Sequence, residues 1–292
     1  MTVGEEGSSH EPVMVAEVTE YLAGRDTVVD MTLGAGGHAE ALLEAGVGRL
    51  IGIDRDPSAL ATAQGRLAGH GERFRTVRAR FSEVDEEVVG GPVDGVLFDL
   101  GVSSMQLDQG ARGFGYRIDG PLDMRMAGAS DDEPSAADLV NGLPEDQLAD
   151  VIFEFGEEHR SRRIARAIVR NRPITTTDQL ARVVAGALGR RPGGPHPARR
   201  TFQALRIAVN REIEELSASL PQAVGLLVPG GRVVVIAYHS LEDRVVKYAF
   251  RDDERLAVLT KKPRRPSEEE VARNPRSRSA LLRAAERIEV AA

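Results

Sequence analysis

The stretch TVVDMTLGAGGHAEALLEAGVGRLIGID, residues 27–54, decides the fold. It opens on a short apolar run, Thr27–Leu33, and turns through Gly34-Ala35-Gly36-Gly37. A helix starts at Ala39–Leu43, and a second apolar run, Arg49–Ile53, closes at Asp54. Strand, glycine turn, helix and strand make a βαβ unit, and strands buried on both faces of a parallel sheet read as continuous apolar runs. Glycines in such a turn let a ligand approach the backbone. An acid at the end of the next strand, 20 residues after Gly34, can accept hydrogen bonds from adjacent ribose hydroxyls. The pairing points to an adenosine cofactor without choosing one, because Gly34-x-Gly36-x-x-Ala39 also meets a loose dinucleotide pattern.

Outward from this unit the alternation continues. Val13–Leu22 reads as a helix opened by Pro12, and Pro57–Leu67 as another. Arg75–Ala79 and Val93–Leu100 read as the third and fourth strands. The pattern then breaks. Leu107–Met126 is a glycine- and charge-rich loop, and long ordered loops are usually functional. After a polar turn at Gly128–Pro134 the signal from Ala136 to Leu188 is helical: Pro144–Phe155, then Glu157–Asn171 with an Ile164/Ile168 stripe, then a third helix announced by the capping-box spacing of Thr176 and Gln179. Gly189–Pro197 reads as a linker, followed by one helix carrying Phe202, Leu205, Val209 and Leu216. Val228-Pro229-Gly230-Gly231 then leads into the apolar strand Arg232–Tyr238. The expected fold is α/β: a doubly wound, mostly parallel, Rossmann-like sheet with an all-helical insertion. Its main domain is expected over 10–106 and 197–292, the inserted loop and helical domain over 107–196, and a disordered polar N-terminus over 1–9.

The 292 residues include no cysteine and no tryptophan, and the formal charge is -7. Without cysteine there are no disulfides, thiolate metal sites, iron–sulfur clusters or cysteine nucleophiles. The charge is patterned: arginines outnumber acids from Glu157 to Arg211, and a second basic run covers Lys261 to Arg287. An acidic body with basic arms is compatible with a polyanionic partner. No 18-residue apolar run and no signal peptide are read, so the expected setting is the cytoplasm. The histidines are too scattered for a metal site, and none is expected.

Three features favour S-adenosylmethionine over a nicotinamide. Asp30 ends the first strand, where it can face the cofactor's ammonium group. Pro229-Gly230-Gly231 resembles the hairpin that opens the fifth strand of many methyltransferases. Asp99 closes the fourth strand, where those enzymes place the methyl acceptor and where ligands of doubly wound sheets sit. Asp99, with Ser103 in the polar turn behind it and His239 at the end of the fifth strand, forms the candidate catalytic set. Sequence alone does not separate a catalytic Asp99 from one that only holds the cofactor. Phe81, after the third strand, suits the adenine border as well as the core. Gly-x-Ser-x-Gly is missing around Ser240, which argues against a hydrolase.

Longer motifs now carry a resemblance. His10-Glu11-Pro12-Val13-Met14, Gly34-Ala35-Gly36-Gly37-His38, Asp54-Arg55-Asp56-Pro57 and Asp99-Leu100-Gly101-Val102-Ser103-Ser104 come in order. Arg112-Gly113-Phe114, the run from Asp119 to Met126, the run from Arg200 to Ile207, Tyr238-His239-Ser240-Leu241-Glu242-Asp243 and the run from Asn274 to Ser279 complete the set. Together they resemble the MraW family of bacterial small-subunit ribosomal RNA cytosine-N4 methyltransferases. The resemblance implies a class I methyltransferase fold, S-adenosylmethionine as cofactor, and a cytosine in the decoding region of small-subunit RNA, free or in the subunit, as substrate. It also implies cofactor contacts at Gly36, Gly37, His38, Asp54, Phe81, Asp99 and Gln106; the residue reading adds Asp30 and Gly34. Independently, the lack of cysteine closes the usual thiolate route to ring-carbon methylation, and an acceptor such as Asp99 suits an amino group. RNA contacts are expected at Arg162, Arg163, Arg166 and Arg170 and at Arg276 and Arg278. A homodimer is left open, and the rival readings are a nicotinamide oxidoreductase and a non-catalytic RNA-binding factor.

Overall fold

The computed structural model describes residues 12–103, 106, 109–128, 133–189 and 194–289; the polar N-terminus with His10 and Glu11, and Ser104 and Met105, lie outside them. The chain forms two units, Met1–Gly101 with Glu215–Ala292, and Val102–Glu214. Along the chain come α1 (Val15–Leu22), β1 (Thr27–Asp30), α2 (Gly37–Glu44), β2 (Arg49–Asp54), α3 (Pro57–Leu67), β3 (Phe74–Arg78), α4 (Glu86–Val89) and β4 (Val93–Asp99). The second unit carries α5 (Ala136–Gly142), α6 (Glu145–Gly156), α7 (Ser161–Arg170), α8 (Thr177–Leu188) and α9 (Arg199–Asn210). The chain returns through α10 (Glu212–Leu226) to β5 (Leu227–Ala237), α11 (Ser240–Asp252), β6 (Leu256–Val258), α12 (Glu268–Arg273) and β7 (Leu281–Arg287).

The first unit is built on a seven-stranded sheet of order β3-β2-β1-β4-β5-β7-β6. Neighbours from β3 to β5 are parallel, and β7 runs antiparallel to both β5 and β6. This is the doubly wound, mostly parallel sheet expected from the sequence. Both faces are covered, as the two-residue period of the strands dictates. Val29, Ile51, Ile53, Val96, Phe98, Val233 and Val235 pack with residues of α10 and α11, among them Leu216, Leu220, Val246 and Phe250. The alternate residues Val28, Leu50, Leu97, Val234 and Ile236 pack with Val18, Leu22, Leu42, Leu60 and Leu67 of α1 to α3. Strand order reverses between β1 and β4, so a crevice beyond their carboxyl ends is where the topology accepts a ligand. Asp30, Asp54 and Asp99 are the last residues of β1, β2 and β4 and share that edge.

Four expectations are corrected in detail. β1 stops at Asp30 rather than Leu33, because Thr32 folds back and donates its N–H to the Asp30 carboxylate. The helix read through Leu216 is two helices, broken at Arg211 (φ 52°). There the Asn210 side chain donates to the carbonyl of Met124 and accepts from the N–H of Met126. Pro229-Gly230-Gly231 is not a hairpin ahead of β5 but a register shift within it: Val93 pairs with Leu227 and Gly95 with Arg232. The basic run Lys261–Arg287 contains β7, a strand in the interior of the sheet order.

The second unit has its own core, in which Phe114, Leu122 and Met124 join Ile152, Ile164, Ile168, Leu180, Val184, Phe202 and Leu205. The described part of the Leu107–Met126 loop is therefore packed structure. A side chain at Gly113 would collide with the Pro121 carbonyl, and one at Gly120 with the Gly110 carbonyl. Arg112 donates to the carbonyls of Arg125 and Met126. α9 packs into this core and belongs to the unit Val102–Glu214.

Candidate cofactor and acceptor site

The glycine turn is shaped by what presses on it. Gly34 and Gly36 have φ of 52° and 79°, values that favour glycine. A Cβ on Gly36 would lie 3.1 Å from Leu67 and 3.2 Å from Ala63, and one on Gly37 would lie 3.0 Å from Pro12. The turn thus packs tightly against α3 on one side and Pro12 on the other. Asp54 braces it: Oδ2 accepts from the Gly34 N–H at 2.9 Å and Oδ1 from the Asp56 N–H at 2.8 Å. Burial pushes the Asp54 carboxyl up, and those two backbone bonds hold it back. Asp56 in turn caps α3 through the Ser58 N–H.

A polar cluster joins the ends of β1, β4 and β5. Asp30 is buried, and burial, opposed by His38 and assisted by the charges of Asp99 and Asp54, raises its carboxyl to about 6. His38, on the first turn of α2, is also buried. Its Nε2 lies 3.4 Å from Asp99 Oδ2, and among the described residues neither ring nitrogen completes a well-formed hydrogen bond. Burial lowers the imidazole's affinity for a proton, but Asp99, Asp30 and Glu270 outweigh it and His38 titrates above its ordinary value. Asp99 donates its own N–H to Thr32 Oγ1 at 2.6 Å and accepts the Tyr238 hydroxyl on Oδ1 at 2.8 Å. Three carboxylates and one imidazole make the edge electronegative, and a cationic ligand would relieve the mutual repulsion of the acids. The unsatisfied nitrogens of His38 call for a polar partner as well. An amino acid joined to an adenosine, carrying a positive sulfonium, fits this donor set: a carboxylate for the histidine, an ammonium for the acids and a ribose for Asp54.

Other candidate residues separate into groups. Phe81 is half-buried on the turn after β3, its ring edge-on to Phe98 at 5.9 Å, so the core claims one side of it and leaves the other open. Ser103 and Gln106 lie in the second unit and bond to each other: the Ser103 N–H donates to Gln106 Oε1 at 3.0 Å, and the Gln106 N–H to Ser103 Oγ at 3.3 Å. His239 caps α11, accepting the Glu242 N–H on Nδ1. Glu242 accepts the N–H groups of Tyr238 and His239, and Asp243 holds Arg283 of β7 in a bidentate pair. The motif from Tyr238 to Asp243 therefore ties the β5–α11–β7 corner together. The sequence assigns no role to Thr32, and it marks Tyr238 only as the first residue of the polar run 238–243 at the acceptor edge, without pairing it to Asp99.

Arg162, Arg163, Arg166 and Arg170 are exposed on α7, whose Ile164, Ala165 and Ile168 face the core. Arg166 reaches Glu145 at 3.3 Å across exposed surface. Arg276 and Arg278 are exposed on the turn Pro275–Ser279. Elsewhere the C-terminal basic run is engaged internally: Arg264 with Glu20, Arg283 with Asp243, and Arg287 with the Gly225 carbonyl.

Comparison with known proteins places this geometry. Residues 7–288 match the model of a family described as the MraW methylase family. A ribosomal RNA small subunit methyltransferase H of a Methylobacterium species is 51% identical, covering 98% of this chain and 93% of its own. The protein of that name from a Synechococcus species is 51% identical over 95% and 94% of the two chains. Among solved structures, an rRNA methylase from Streptococcus thermophilus aligns with a TM-score of 0.43 at 13% identity, over 94% of both chains.

Proposed function

The chain belongs to the MraW methylase family, and on that premise we propose that it transfers a methyl group from S-adenosylmethionine to the exocyclic N4 amine of a cytosine in the decoding region of small-subunit ribosomal RNA, in the cytoplasm. The observation that carries the reading is the sheet edge itself: Asp30, Asp54 and Asp99 end three adjacent strands around the glycine turn and His38. Such an edge suits a cationic adenosine ligand and, beside Asp99, an acceptor with hydrogens to donate.

S-adenosylmethionine, when bound, supplies a methyl group already activated by its sulfonium. The chain's residues then have to position and to stabilise. Asp54 and the glycine turn hold the ribose side, Phe81 borders the adenine, and Asp30 and His38 take the amino-acid end. His239 is assigned to the acceptor wall. A cytosine amine is a poor nucleophile because its lone pair is delocalised into the ring. Asp99, accepting an N–H of that amine, draws the lone pair out of conjugation and faces the positive charge that develops on nitrogen. The exposed arginines of α7, with Arg276 and Arg278, take the RNA backbone.

The test is digestion of small-subunit RNA to nucleosides after reaction with labelled cofactor, read by mass spectrometry. Label in N4-methylcytidine is the expected result. Label in 5-methylcytidine or a 2′-O-methylated nucleoside, with none in N4-methylcytidine, overturns the reading.

A further inference from the structure

Asp99 is only as useful as the direction in which its carboxylate points. That group turns about its last single bond with little resistance. The backbone of Asp99 is fixed by its N–H bond to Thr32 Oγ1, but this does not set the carboxylate. What sets it is the Tyr238 hydroxyl, 2.8 Å from Oδ1. The other oxygen, Oδ2, is then directed toward His38 Nε2, and the Asp99 side chain retains 24% of its exposure. Tyr238 is itself held from two sides. Its N–H donates to the buried Glu242 carboxylate, and its ring lies against Gly101, where a Cβ would stand 3.3 Å from Cδ2. Gly101, at φ 89°, leaves the ring this place two residues after the acid.

We infer that Tyr238 is a positioning residue for the reaction: by holding Oδ1 its hydroxyl fixes the rotation of the Asp99 carboxylate that meets the methyl acceptor. The inference rests on the functional reading above. Burial and the charge of Asp99 hold the Tyr238 proton well above its ordinary range, so the hydroxyl remains a donor at working pH and does not act as a base. An Asp99 free of this bond would spread over several rotations, and a bond made only in the transition state is the one such spreading weakens.

The experiment uses the full chain with purified small subunits lacking the modification, and compares wild type, Tyr238→Phe, Asp99→Asn and the double variant. Tyr238→Phe keeps the ring and removes the donor. The expected result is a turnover number at saturating cofactor and subunits lowered about tenfold or more, with the dissociation constant for S-adenosylmethionine and the thermal midpoint close to wild type. Adding Tyr238→Phe to Asp99→Asn should cost little further, because both changes break one unit. Wild-type turnover in Tyr238→Phe, fully multiplicative losses in the double variant, or a variant that loses only cofactor affinity or its fold would each overturn the inference. A wild-type protein that transfers no label to the subunit would overturn the functional reading and this inference with it.

Discussion

Asp30 shows how the site trades stability for a ligand. Burial pushes its folded carboxyl up to about 6 from the ordinary 3.8. Between about pH 4 and pH 6 the folded protein therefore keeps a proton that the unfolded chain has released, and stability falls as pH rises through that window. The contribution is whole below the unfolded value and lost above the folded one, and a shift of this size corresponds to about 3 kcal/mol. Asp30→Asn should abolish this fall, so that denaturant midpoints in the absence of cofactor exceed wild type at pH 7.5 and converge with it near pH 4. The same variant should bind cofactor at least about tenfold more weakly at pH 7.5, having lost a charged partner for a cation. Equal midpoints at pH 7.5 would show that Asp30 carries no such strain. Asp54 has a double duty, since it braces the Gly34 N–H and is placed to meet the ribose. Asp54→Ala should weaken cofactor binding by at least about 1.5–3 kcal/mol, the worth of a hydrogen bond to a charged group. Calorimetry giving near wild-type affinity on a folded variant would refute this.

Among the elements, α7 and β7 divide the arginines by what each side chain touches. On α7 the charged face is solvent-exposed, and Arg166 is drawn to Glu145 in a surface pair of small worth. Reversing Arg162, Arg163 and Arg166 to Glu should lower RNA affinity at least tenfold at low salt and flatten its salt dependence, as counterion release requires, while cofactor affinity stays put. Unchanged RNA binding in filter or fluorescence titrations would return these residues to an ordinary solvated surface. Arg283 belongs to the opposite kind. It is buried, and its guanidinium is matched bidentately to Asp243. Arg283→Ala leaves the half-buried Asp243 carboxylate without its bidentate partner and should destabilise the protein by about 1.5–3 kcal/mol in chemical denaturation. This is also why β7 was not legible as a strand: its charges read as a basic run because their partners lie 40 residues upstream at Asp243 and 54 residues upstream at Arg232. The first βαβ unit was legible because its strand, turn, helix and acid are contiguous. Tyr238 was not, because its partner lies 139 residues away and only the sheet brings them together. The break at Arg211 escaped for the same reason, since the Asn210 side chain that bonds there answers to Met124 and Met126.

Two hydrophobic cores in the sheet unit and one in the helical unit give the whole molecule parts that respond separately to a ligand. Cofactor binding stabilises the residues that make the contacts by mass action. Hydrogen exchange should therefore slow in β1, β2, β4 and the turn 34–37 on adding S-adenosylmethionine, and change little in α5 to α9. Slowing spread equally over both would mean that the cofactor orders the helical unit as well. The sheet order has a further consequence, for a chain emerging from the ribosome. β4 waits for β5, which follows only after the whole helical unit has been made, and β7, the latest of the seven strands in sequence, pairs with β6 and covers the open side of β5. A polypeptide stopped short of Leu281 would hold a nearly complete set of site residues on a sheet with a raw edge, prone to pairing with other chains. Closing this side of the sheet therefore falls to the strand that comes latest of the seven in the sequence, so the sheet's integrity there hangs on a segment remote from the site it supports.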